Sequence, residues 1–77
     1  MKRYNTNLTP RHPFADYLKE VLDAEFAFIE RTEFIVNYSQ VNITVSDPVG
    51  HGANIGVSYS IEVNGRFYKA ATLVVAD

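Results

Sequence analysis

His12 and His51 are the only imidazoles in this 77-residue chain, and cysteine is absent. Nucleophilic catalysis needs a Ser, Cys or Thr beside a base that a third group orients, and no nucleophile-elbow sequence is present. The two histidines fall in separate turn-rich stretches. Nothing in their spacing builds a triad or a two-histidine metal site. Gly50-His51-Gly52 could bring backbone N–H groups to an anion. It opens a strand and not a helix, however, and so lacks the dipole that a phosphate loop uses. No Gly-x-Gly-x-x-Gly or P-loop pattern occurs. The paired acids Asp16 and Glu20 lie one helical turn apart on what should be open solvent. The residues therefore predict a non-enzymatic chain that needs no cofactor and no metal.

Charge is distributed unevenly beneath a formal net value of −2. Residues 1–12 carry Lys2, Arg3 and Arg11 with no acid, whereas Pro13 to Glu33 carry six acids against Lys19 and Arg31. Asp16, Glu20, Asp23 and Glu30 project from one side of the helix predicted there. Such a row suits protein contact, with a basic surface on the partner. The basic segment, with Tyr4 and His12, could touch nucleic acid. Its charge is small, the pI is 5.6, and the strands lack interleaved basic and aromatic residues on a common face, so nucleic acid is a weak expectation.

The elements that must hold these residues follow from periodicity. Asn5 to His12 is polar and broken by Pro10, which predicts a flexible basic arm over residues 1–12. Pro13 suits a first helical turn and Asp16 the positive end of the helix dipole. Phe14, Tyr17, Leu18, Val21, Leu22, Phe28 and Ile29 then recur every three or four residues, which gathers them into one apolar stripe. Glu25 falls at the centre of that stripe. Either the helix ends near Ala24, and Phe26 to Ile29 begin an extended segment, or it runs on to about Arg31. In the second case Glu25 sits at a sheet edge or is paired, with Arg66 a possible partner.

Phe34 to Tyr38 alternate with one parity, and Val41, Ile43 and Val45 with the other, so Ser39-Gln40 marks a bulge, a turn or a strand start. A strand is expected over about 40–46, and the turn formers from Asp47 to Asn54 connect it to the next. Ile55, Val57, Tyr59, Ile61 and Val63 alternate with small or polar residues, the pattern of a strand with one buried face. Asn64-Gly65 then supplies the two positive-φ positions of a type I′ hairpin turn. A two-residue loop pairs 63 with 66 and 61 with 68. That puts Tyr68, Ala70, Thr72 and Val74 on the core face and leaves Phe67, Ala71, Leu73 and Val75 on the other. Those four are too apolar for a solvated surface. Either a bulge switches parity after Ala70 or the second face is covered.

The expected fold is α+β: one N-terminal amphipathic helix packed on a three- or four-stranded antiparallel β-meander (αβββ), with residues 13–77 as a single domain. Apolar residues at 47% and charged residues at 21% give a globular composition and not a disordered one. No 18 apolar residues run together, so no membrane span is expected, and the lack of cysteine suits a reducing cytoplasm. Three N-x-S/T triplets, at Asn7, Asn37 and Asn42, carry no weight without a secretory route.

By size, acidity and the absence of catalytic residues, and by no motif, the chain resembles in general character the small phage-encoded proteins that block a host enzyme or defence complex. Anti-CRISPR proteins are among them. The likeness implies a small inhibitor that binds a protein partner and occludes its surface. The acidic row is the first candidate surface and the hairpin residues Asn64, Arg66 and Phe67 the second. The alternative is a self-assembling structural subunit, a homodimer or larger, joined through the second sheet face by Phe67, Leu73 and Val75.

Overall fold

The computed structural model describes residues 4–50, 52 and 54–75. In chain order these form β1 (Asn5–Thr6), α1 (Ala15–Thr32), a 3-10 turn (Tyr38–Gln40), β2 (Asn42–Val45), β3 (Ile55–Val63) and β4 (Arg66–Val75). The strands make one sheet in the order β1-β2-β3-β4. β3 pairs antiparallel with both β2 and β4, as the hairpin signals require. β1 pairs parallel with β2, so the sheet is mixed, and α1 is the crossover that a parallel connection needs. The fourth strand thus comes from the N-terminal segment and not from residues 34–38.

Residues 4–12, expected as a flexible arm, are docked. The Asn5 N–H donates to Val41 O at 2.8 Å. Asn7 continues the pairing with its side chain, which accepts the Val45 N–H at 2.7 Å and donates to Val45 O at 2.9 Å. Tyr4 packs its ring on Phe26, with centroids 5.1 Å apart. His12 bridges the arm to the sheet. Its Nδ1 accepts the Phe14 N–H at 3.1 Å, which leaves Nε2 protonated to donate to Ser46 O at 3.1 Å. Lys2 and Arg3, two of the three charges that made the arm basic, lie outside the described residues, and the third, Arg11, is exposed.

α1 runs unbroken through Ala24 to Thr32, with Asp16 in its first turn and Arg31 in its last. Leu18, Leu22, Phe26 and Ile29 are its buried residues. They pack on Val41, Ile43 and Val45 and on Val57, Tyr59, Ile61 and Val63. The helix therefore lies over β2 and β3, while β4 contributes only the half-buried Tyr68, Ala71, Leu73 and Val75. Phe26, not Phe28, completes the stripe: at 100° per residue Phe26 falls within about 80° of Leu18 on the side toward β1, where Tyr4 and Tyr38 receive it. Phe28 falls as far to the other side, toward β4, and stays 49% exposed.

The Asn64-Gly65 turn forms with both residues at positive φ, 55° and 78°. Beyond it the register of β4 shifts. Glu62 pairs with Phe67, but Ile61 pairs with Lys69, so Tyr68 is the extra residue of a β-bulge. From there Ala71, Leu73 and Val75 lie opposite Tyr59, Val57 and Ile55, on the helix side. The parity switch expected after Ala70 thus comes earlier, at Tyr68. It leaves the middle of the outer face to the small or polar Thr44, Ser58, Ser60, Ala70 and Thr72, with the exposed Val74 toward one end and Phe67 toward the other.

Candidate functional site

Of the acidic row, Asp23 accepts the Tyr4 hydroxyl at 2.7 Å and Glu30 accepts the Tyr38 hydroxyl at 3.1 Å. Burial, and then the hydrogen bond to the Asp23 carboxylate, push the Tyr4 phenol well above its ordinary range. These two acids fasten the arm and the loop after the helix; Asp23 nonetheless stays exposed, as do Asp16 and Glu20, and Glu30 is half-buried. The aromatic that sequence offered to nucleic acid is committed as well, because Tyr4 is held by Phe26 and Asp23. His51 lies outside the described residues. Gly50 has φ +106°, and a side chain there would strike the Asn54 carbonyl, so turn geometry already accounts for this glycine.

Leu73 and Val75 are not on the second sheet face; the bulge at Tyr68 turns them inward, where they are half-buried. Phe67, before the bulge, remains outside and 71% exposed. The continuous apolar second face expected for self-assembly is therefore not formed.

Glu25 resolves differently from its expected pairing with Arg66. Its Oε2 meets Lys69 Nζ at 2.6 Å and accepts the Tyr59 hydroxyl at 2.9 Å. The bulge is the reason, since it sets Lys69 opposite Ile61 on the helix side of the sheet. Burial alone would raise the Glu25 pKa, but the hydrogen bonds from Lys69 and Tyr59 and the Lys69 charge outweigh it and hold it below its ordinary 4.5. A depressed carboxylate pKa contributes stability that is present above the unfolded value and lost as pH falls through the folded one. Lys69 is 44% exposed, so solvent screening limits the pair to about 0.5–1 kcal/mol. Thermal melts of the native chain and Glu25→Gln should differ at neutral pH and converge on acidification below the ordinary glutamate range. A constant gap would contradict this pairing.

The remaining candidates, Asn64, Arg66 and Phe67, belong to a surface that was only half legible. The Asn64 amide donates to Ile35 O at 2.9 Å and accepts the Asn37 N–H at 2.7 Å. The Gly65 N–H reaches Gln40 O at 3.4 Å. Asn37 in turn caps the 3-10 turn, accepting the Ser39 N–H at 3.3 Å and its hydroxyl at 2.8 Å. Ile35 O, the Asn37 N–H, the Ser39 N–H and Gln40 O thus find partners outside any ladder, and Phe34 to Tyr38 alternate like a strand yet form none. The result is a braced tip at one end of the molecule. It carries Phe34, fully exposed, and Ile35, 70% exposed, with Arg66 and Phe67 just past the turn. Phe34 and Ile35 were missed because alternation reads as strand. The usable signal was Asn37 two residues before Ser39, an Asx-turn pattern.

Among the described residues, no three His, Cys, Asp or Glu side chains gather closely enough to hold a metal ion, and no helix is long and apolar enough to cross a membrane. No family model matches the sequence, no curated protein is significantly similar to it, and no solved structure matches its fold.

Proposed function

We propose that this chain is a non-enzymatic protein-binding module that acts in the cytoplasm by occluding a partner's surface, in the manner of a small phage-type inhibitor. Its contact residues are Phe34, Ile35, Arg66 and Phe67. The observation that carries the reading is the complete exposure of Phe34 on a loop braced by Asn64. Large apolar side chains held in the open on a braced loop contribute little to this chain's own core. They are already ordered for a partner, so little conformational entropy is lost on binding. Aromatic and arginine side chains are also those that dominate binding energy when a partner's pocket desolvates them. Asp16 and Glu20 add long-range attraction toward a partner with a basic rim.

Photo-crosslinking tests the reading. With benzoylphenylalanine in place of Phe34, irradiation in native lysate should give one discrete adduct, and the same probe in place of Glu20 should give little or none. An adduct at position 20 without one at 34 would move the contact to the helix, and no adduct at either position would contradict a protein-binding role.

A further inference from the structure

β4 ends the sheet, and among the described residues nothing pairs with its outer side. Gly56 exchanges both backbone hydrogen bonds with Val49, at 2.8 and 2.9 Å, and Ser58 O accepts the Ser46 N–H at 2.8 Å. The even-numbered residues of β3 thus face β2, and the odd-numbered ones face Lys69, Ala71, Leu73 and Val75 of β4. By the same alternation Ala70, Thr72 and Val74 point their N–H and C=O groups outward. Natural sheets blunt such an edge with a charge, a proline or a bulge. Here the bulge lies before it, Lys69 is drawn back to Glu25, and Ala70 to Val75 contain neither charge nor proline.

We infer that a second copy of this chain covers this edge, its β4 pairing antiparallel with the first about a two-fold axis at Thr72. The hydrogen-bond phase and the side chains both fit that register. Thr72 pairs with itself, and Ala70 with Val74 of the copy, all of them residues with outward backbone groups, so each pair exchanges both bonds. Between them Ala71 meets Leu73 of the copy on the helix side, and Lys69 meets Val75. Small residues face larger ones, and no like charges oppose. The copy's Val75 then reaches the depression bounded by Glu25, Phe28, Tyr68 and Lys69. There it shields the Phe28 ring that this chain's own core leaves half exposed. The interface is isologous, closes at two copies and joins the sheets into one. It goes beyond the tip contact and does not depend on it.

The chain has no cysteine, so single cysteines report the register cleanly. Paired residues that exchange both bonds have Cα atoms about 5.5 Å apart, within disulfide range. Thr72→Cys should therefore oxidise to a covalent dimer. Ala70→Cys, whose counterpart lies about 13 Å away across the axis, should not. Both substitutions sit on the exposed outer side of β4, and circular dichroism checks that both variants fold. The expected result is a native mass near twice 8.7 kDa by light scattering, with Thr72→Cys crosslinking at least about tenfold faster than Ala70→Cys. A monomer at every concentration, or equal crosslinking of the two variants, overturns the inference.

Discussion

Leu22→Ala is expected to cost about 2–5 kcal/mol, the range for removing a buried leucine from a core that cannot collapse around the cavity. Leu22 is fully buried at the middle of the helix stripe, with Leu18 and Phe26 one turn to either side and the strand residues Ile43 and Ile61 among the same core cluster. A single core of this size supplies only about 3–5 kcal/mol in total, so the substitution should abolish cooperative melting near room temperature. Phe34→Ala removes more atoms but from a fully exposed position, and its melting curve should match the native one to within about 0.5 kcal/mol. The pair is read by thermal and urea denaturation followed by circular dichroism. Comparable losses for the two variants would show that the loop after the helix belongs to the core.

How far the sequence could be read depended on whether a signal was local. The Asn64-Gly65 turn and the alternation from Ile55 to Val63 were legible because turn chemistry and a half-buried strand each leave their mark within a few residues. The helix was legible as an element, but its inward face was drawn with Phe28 in place of Phe26. Both phenylalanines flank the stripe, and the choice between them was made by Tyr4 and Tyr38, which come from distant segments. β1 left almost no pattern, being two residues long and extended in effect by the Asn7 side chain. The bulge at Tyr68 was the costliest unknown, since one extra residue moved Leu73 and Val75 inward and brought Lys69 to Glu25. No local rule located it. It is explained afterwards by what it satisfies: apolar residues turned toward the helix, and a partner for a carboxylate on the helix's inner side.

The candidate surface divides in the same way. Asp16 and Glu20 were correctly legible as exposed acids, because helical phase alone puts them opposite the core. That Asp23 and Glu30 are occupied by tyrosine hydroxyls depends on Tyr4 and Tyr38 arriving from elsewhere in the chain. The tip joins a loop to a turn 27 residues away through the Asn64 amide, a tertiary contact that no periodicity encodes.

The second large effect concerns that tip. Phe34→Ser combined with Phe67→Ser removes two rings that contribute little to folding, since both are largely exposed. In a bound complex, anchors of this kind typically contribute about 2 kcal/mol or more each, so the double variant should lose binding by at least about a hundredfold. The control is Asp16→Lys with Glu20→Lys, which reverses two exposed acids of the row and should weaken association modestly and in a salt-dependent way. The direct measurement is a titration of the crosslinked partner, once purified, against the native chain and both double variants, with folding verified for each. Loss of binding in Phe34→Ser/Phe67→Ser with retention in the charge-reversed variant is the result this account predicts. Native affinity in the serine variant, with binding abolished by charge reversal, would contradict it and return the contact to the acidic helix.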